Sequence, residues 1–574
     1  MKNYNTDKNM HLLRILFFIF SLLIINNDTV FGFPSRDVSE RQVPFSKGVS
    51  FTGWFEEIPK SAREVHNKYS EQDFVDVKKL GIDVIRIPID LFLFTSGTPD
   101  YKVDPLLFEL LDQAVDYAEK HQQYVILDCH PEKQPVINRG IRDFLLPVWS
   151  QIAEHFKNRS EYVIYEILNE PQGISSKDWG SIQGDVINAI RVIDKNHWIV
   201  VGGVDYNSIE ALSSLPRYKD NKLLYTFHFY EPYLFTHQGV TLLENLAGVP
   251  FPYDRNNMPV TPNDLKGTWV ERYLKLNYFL KGTRRELARM LNKASSFSKQ
   301  RNVPVFCGEF GVLLRYSPIN DRVRWHEYVR ELLEERNIPW IKWSYYDCFG
   351  MFNSQLDGVF RWASSGDINM DLDIELVRAL GLTPVPQRQR EQLQSSITIF
   401  DDNFGRGVRI SYRKQNTINM YYNPAAEGRY AIHLGDLKRG DERSDGLTLL
   451  LSVMDLTYLA QNGYVLEFKA KADKPIPFAV IFYNFQDNIN WQLGYMIDHM
   501  QIPPDGEWHT IRIPLYDMRI WGGIDITTDQ YIESRVKPVS WAKINMLEFI
   551  SVQEDDGVYD LYLDSIKITQ YPQY

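Results

Sequence analysis

From about residue 48 to residue 382, short apolar runs rich in Val, Ile and Tyr alternate with amphipathic stretches, and this alternation leaves few folds open. Gly48–Phe55, Asp83–Ile89, Tyr124–His130 and Val163–Ile167 read as the first four strands. His197–Gly203, Leu223–Tyr230, Val303–Gly311 and Pro339–Tyr346 read as four more. Helical periodicity fills the gaps over Gln72–Leu80, Pro105–His121, about 142–157, Ser176–Asn196, about 281–300, Arg322–Arg336 and Asp373–Leu382. In Pro105–His121, Leu106, Leu110, Leu111, Ala114, Val115 and Ala118 make one apolar face. Eight strands in βα order predict an α/β fold, a closed (β/α)8 barrel. An open doubly wound sheet is the alternative, but no Gly-rich phosphate or dinucleotide loop follows the first strand.

Two strand ends carry the chemistry. The fourth strand runs into Asn169-Glu170-Pro171, where Pro171 cannot extend a ladder. The seventh, VPVFCGEFG, delivers Glu309 in the same way. The carboxyl ends of barrel strands form the active face. Two strands about 140 residues apart, each ending in one glutamate, match the paired carboxylates of glycoside hydrolysis. Arg86 sits between Ile85 and Ile87 near a strand end, a fixed cation for a carboxylate that must stay ionised. No His-Glu-x-x-His helix and no tight ligand cluster calls for a catalytic metal.

At 574 residues the chain is too long for one ordinary domain. Residues 1–32 read as a signal peptide: Lys2, Lys8 and Arg14 lead into Ile15–Ile25, an apolar run too short to span a bilayer comfortably, before Val30-Phe31-Gly32. An uncleaved anchor is the alternative; with cleavage the protein is secreted and carries no membrane partner. Residues 33–384 form the barrel, 385–396 a polar linker, and 397–574 a run of short alternating strands that predicts a β-sandwich of jelly-roll type. The excursion over about 231–280 is too long for a simple βα connection, and its aromatics predict a wall or lid over the cleft. A net charge of −11 argues against nucleic acid as a partner. Cys129, Cys307 and Cys348 give no disulfide framework and read as small buried fillers. Nothing in the sequence sets an oligomeric state.

With these residues in place the barrel resembles glycoside hydrolase family 5, the cellulase and mannanase family of a large retaining clan. The resemblance covers roughly residues 45–383. It implies that Glu170 is the acid/base and Glu309 the nucleophile. It also implies that Arg86 contacts the nucleophile, that His130, His228 and Tyr230 belong to the site, and that Trp343 floors a sugar subsite. Asn169 is suited to hold the sugar 2-hydroxyl. Trp54, Tyr206, Asn207 and Thr236-His237-Gln238 are weaker substrate contacts. The expected activity is retaining hydrolysis of β-1,4-glucan-type polysaccharide or oligosaccharide. A β-mannanase or another β-glucan hydrolase is the rival within the family, and a glycan-binding protein without turnover the rival outside it. Many secreted glycanases carry a jelly-roll carbohydrate-binding module. The second domain is either such a module, with Tyr421, Tyr483, Trp491 and Trp521 as stacking surfaces, or a domain that packs on the barrel and stabilises it. No cofactor is expected beyond a structural calcium ion at Asp401, Asp402 and Asp564.

Overall fold

The structure is a computed structural model; it describes residues 42–571 apart from short internal stretches, the longest being 132–139 and 354–367. The expected signal peptide and part of the expected linker lie outside the described residues. Among those described, no helix is long and apolar enough to cross a membrane.

Eight parallel strands close into a barrel: β1 (Lys47–Ser50), β2 (Val84–Ile89), β3 (Tyr124–Cys129), β4 (Val163–Glu166), β5 (Trp198–Gly202), β6 (Leu223–Phe229), β7 (Val305–Phe310) and β8 (Trp340–Lys342), with β8 paired back to β1. Val84, Ile126, Ile164, Val200, Leu224, Phe306 and Ile341 form one cluster with Phe45, whose ring meets Phe306 edge-on at 5.3 Å. Seven strands thus fill the barrel with an aliphatic or aromatic residue each. The eighth, β1, contributes Gly48, where an added Cβ would lie 2.6 Å from Val84 and 2.8 Å from Ile341. Side chains on the opposite face of each strand pack beneath the helices.

Local chemistry sets the helix ends. Asp104 accepts from the Leu106 amide and Pro105 opens the helix Pro105–Lys120. Ser175 and Thr283 cap Ser176–Ile193 and Arg284–Arg301 in the same way, and Asn302, at φ 55°, ends the latter. The first and last strands are shorter than their apolar runs suggest. Beyond Ser50 and Lys342 the backbone leaves the ladder, and Thr52–Trp54 and Trp343–Phe349 become loops at the barrel mouth.

Residues from Ile397 onward form two seven-stranded antiparallel sheets that share a second apolar core. Besides the strands with clear alternation, the sheets include Ile397–Asp401, Asn403–Phe404, Val408–Ser411, Arg519–Asp525 and Gln530–Ile532. The sandwich packs on the barrel. Tyr421 donates its hydroxyl to the Val65 carbonyl at 2.8 Å, and Arg429 pairs with Glu109 at 3.0 Å. Three of the four aromatics expected to stack on glycan therefore do other things. Tyr421 is part of this contact, Tyr483 is buried and donates to Glu548 at 2.6 Å, and Trp491 is 1% exposed. Trp521 lies over Gly494, the absence of whose Cβ makes room for the indole.

Candidate active site

The carboxyl ends of the strands surround a cleft of about 690 Å³ lined by His130, Asn169, Glu170, His228, Tyr230, His237, Glu309 and Trp343 among others. Glu309 is in β7 itself. Glu170 lies four residues beyond β4 with φ 45°, a left-handed backbone that a glutamate rarely adopts; such strain concentrates at functional positions. One carboxylate oxygen of each glutamate and one ring nitrogen of His228 lie within 4.8 Å of one another.

Glu309 is held from two sides. Arg86 Nη1 donates to Oε1 at 2.7 Å and the Tyr230 hydroxyl donates to Oε2 at 2.8 Å. Both bonds favour the ionised carboxylate and fix its rotamer. His228 Nδ1 lies 2.7 Å from Glu170 Oε1 and 3.4 Å from Glu309 Oε2. The Asn207 amide nitrogen, 3.4 Å from Nε2, makes Nε2 the acceptor and leaves the ring proton on Nδ1. Burial pushes the Glu170 carboxyl up to about 7, with the Arg86 charge acting the other way. Burial also raises Glu309, with the Arg86 charge acting the other way. Both His130 and His228 are lowered to about 4, chiefly by burial, and are neutral near pH 7.

A polar network beneath the cleft orients these groups. Arg86 is fully buried, and its guanidinium meets Glu166 twice, Asn169 at 2.9 Å and Asp128 at 2.8 Å besides Glu309. Asp128 accepts from His130 Nδ1 at 2.8 Å, and His130 Nε2 faces the Asn169 amide nitrogen at 3.1 Å. Asn169 therefore has its oxygen on Arg86 and one N–H on His130, with the second N–H left for a ligand in the cleft. His130 stacks on Trp343 at 5.4 Å, and His237 stacks on Tyr233 at 4.4 Å.

Several expected contacts sit elsewhere. Trp54 is buried in the barrel wall, 1% exposed, packed on Phe55 and Tyr69; its place next to the strand end suggested a cleft residue, but its ring turns into the core. Arg86 meets Glu309 as expected but is buried and does not itself line the cleft. Asn207 is buried behind His228, while its neighbour Tyr206 lines the cleft, 57% exposed. Asp205, Tyr206 and Asn207 all have positive φ, from 50° to 61°, and this tight left-handed turn sends adjacent side chains to opposite places. Thr236 and Gln238 are buried and bond to backbone, leaving His237 alone of the three in the cleft.

The sequence reading missed Glu166, Asp128, Tyr233 and Phe349. A carboxylate inside the apolar run VIYEIL and another in YVILDCH were the available signals, since a buried charge in a strand needs a partner. Glu170, His228 and Glu309 are also the only His, Cys, Asp or Glu group among the described residues whose ligand atoms converge as they would around a metal ion. Arg86 and Tyr230 already occupy Glu309, and Glu170 occupies the His228 proton. In the sandwich, Asp564 accepts from the Ala426, Glu427 and Ser565 amides and Asp402 from those of Arg429 and Tyr430, while Asp401 is exposed.

Residues 41–348 match the family model for cellulase (glycosyl hydrolase family 5). Endoglucanase 3 of Fibrobacter succinogenes is 27% identical over 335 residues, 54% of this chain and 50% of that protein. Endoglucanase C of Acetivibrio thermocellus is 27% identical over 329 residues, 53% of this chain and 92% of that protein. Cellodextrinase A of Ruminococcus flavefaciens is 23% identical over 305 residues, 51% of this chain and 83% of that one. The crystal structure of an endoglucanase of Thermotoga maritima aligns with a TM-score of 0.47 at 23% identity, covering 58% of this chain and 96% of that one.

Proposed function

Because this chain belongs to glycosyl hydrolase family 5, the cellulase family, we propose that it is a secreted retaining enzyme that cleaves β-1,4-glucan within the polymer by double displacement. The observation that carries the reading is the convergence of Glu170, His228 and Glu309 within 4.8 Å at the mouth of a closed barrel. Carboxyl groups about 5–5.5 Å apart leave no room for a water behind the sugar, so the second carboxylate attacks directly. Glu309, with Arg86 and Tyr230 on its two oxygens, is the nucleophile. Glu170 starts protonated, gives its proton to the departing glycosidic oxygen, and then takes one from the incoming water. The free N–H of Asn169 meets the sugar 2-hydroxyl, and Trp343 presents its face to the ring at the cleavage subsite.

The glucan substrate rests on relatives named as endoglucanases. Secretion rests on the basic leader and short apolar run within the first 32 residues. The buried aromatics of the sandwich favour a packing role for that domain over glycan binding. A panel of soluble and insoluble β-glucans, mannan and xylan, with sizing of the products, tests the assignment. Release of mixed-length cello-oligosaccharides from carboxymethylcellulose or barley β-glucan is the expected result. Cleavage of mannan alone would shift the substrate, and binding of glucan without any reducing-sugar release would overturn the enzyme reading.

A further inference from the structure

The segment Trp343–Phe349 supplies two faces of the cleft, Trp343 and Phe349, and is tied together at its base. The buried ammonium of Lys342 donates to the Trp343 carbonyl and to the Phe349 carbonyl, both at 2.6 Å, which joins the two ends of the segment. Asp347 accepts from the Phe349 amide at 2.6 Å and from the Thr52 hydroxyl at 2.7 Å, and Tyr345 N donates to Ser50 O at 3.0 Å. The barrel thus holds the segment from below and along the β1 side. Its middle, Tyr346, is held from the second domain.

The strand Val408–Ser411 alternates strictly: Val408 and Ile410 enter the sandwich core, and Arg409 and Ser411 turn to the other face. That face meets the barrel. The Arg409 guanidinium carbon lies 3.5 Å from the centroid of the Tyr346 ring, a stacking distance, and Tyr346 is 6% exposed. Lys68 meets the same residue at its carbonyl, at 3.4 Å. The other sheet of the sandwich meets the barrel as well, through Tyr421 on the Val65 carbonyl and Arg429 on Glu109. A guanidinium this close to the centre of a buried ring is a contact worth more than an exposed one.

We propose that Arg409 of the β-sandwich is a positioning residue for the substrate cleft: by stacking on Tyr346 it braces the segment that presents Trp343 and Phe349, so that sugar binding in the barrel depends on the second domain. This rests on the hydrolase reading for its substrate, a β-1,4-linked glucose oligomer. The charge on Arg409 also acts on the Tyr346 and Tyr69 hydroxyls, lowering both against the effect of burial. The sandwich is then part of the binding machinery without touching sugar.

Full-length protein carrying Arg409→Ala or Arg409→Lys is compared with the unaltered chain on p-nitrophenyl β-cellobioside. Cellotetraose affinity is measured by calorimetry in a Glu309→Gln background. Arg409→Ala should raise KM and weaken cellotetraose binding about fivefold, the scale of one partly desolvated cation–π contact, with kcat within about twofold. Arg409→Lys, which keeps the charge and loses the plane, should fall between. Unchanged KM and affinity in Arg409→Ala would overturn the proposal. So would a loss confined to melting temperature and active fraction, which is what a merely structural contact gives. If Arg409→Ala does not fold, Arg409→Lys carries the same comparison. If the unaltered chain shows no turnover, the hydrolase reading fails, while the calorimetric arm still decides whether Arg409 supports the cleft.

Discussion

Arg86 binds Glu166 through two parallel hydrogen bonds, Nε to Oε2 at 2.7 Å and Nη2 to Oε1 at 3.0 Å, and reaches Glu309 with a single nitrogen. The bidentate partner of the buried guanidinium is therefore not Glu309 but a carboxylate inside β4, outside the cleft lining. Glu166 sets the plane of Arg86, and Arg86 then sets Glu309. Its negative charge also adds to the upward push on Glu170. Glu166→Gln should lower kcat/KM about tenfold to a hundredfold by letting Arg86 shift. It should also move the alkaline limb of the pH profile to lower pH, because removing a negative neighbour makes Glu170 easier to ionise. A profile that keeps its shape and height would show that Glu166 serves packing alone.

Arg86→Lys addresses the same network from its centre. Lysine keeps one positive charge but cannot place nitrogens on Glu166, Glu309, Asn169 and Asp128 together. The variant should lose about a hundredfold or more in kcat/KM and should also melt earlier, since buried carboxylates are left poorly paired. Near-normal turnover would remove Arg86 from the nucleophile's support.

The barrel was legible in the sequence because its signal is repeated: eight β-rich runs separated by amphipathic helices, several of them with a side-chain cap. Glu170 and Glu309 were legible because a polar residue at the end of an apolar strand has few other reasons to be there. Trp54 and Asn207 misled because position near a strand end does not fix direction. Trp54 turns into the wall, and the left-handed turn at Asp205–Asn207 leaves Tyr206 in the cleft and sends Asn207 behind it. Glu166 and Asp128 went unread because strand periodicity says that a residue is inside and nothing about which charge it meets across the barrel. The partner of Arg409 lies 63 positions away in another domain (Tyr346), and no local pattern encodes such a contact. In the sandwich, the extra strands Val408–Ser411 and Arg519–Asp525 are short or rich in Gly and polar residues, so their alternation was weak.

The pH dependence follows from the two glutamates. In the proposed double displacement Glu170 carries its proton at the start, and burial holds its carboxyl up to about 7. With a poor leaving group, kcat/KM should fall as pH rises through about 7, because the acid form is lost. With an activated aryl leaving group that needs little protonation, the same limb should be weak. On the acid side Glu309 must be ionised, and burial raises it, so activity should begin to fall above the usual glutamate range as pH decreases. A pH–rate series with two leaving groups checks both limbs, and an alkaline limb of equal depth for both would take the acid role from Glu170.

The stereochemical course tests the pairing itself. A carboxylate oxygen from Glu170, one from Glu309 and His228 Nδ1 converge within 4.8 Å, a close approach that favours direct attack by a carboxylate. The first-formed product should keep the β configuration, and a glycosyl-Glu309 intermediate should accumulate when its hydrolysis is slowed. Glu309→Gly removes the nucleophile and opens a space on that face while Glu170 stays in place. Azide entering the space can displace the leaving group of an activated β-cellobioside from the side Glu309 used, and one inversion gives the α-glycosyl azide. Glu170→Ala should do the reverse: the intermediate still forms from an activated substrate, and azide then attacks it from the other face, giving the β-glycosyl azide. Two variants with opposite azide anomers would assign each glutamate its face. NMR of the first product from the unaltered chain completes the test. An α anomer appearing first would mean inversion, and the carboxyl pair would then have to open to about 6.5–9.5 Å to admit water.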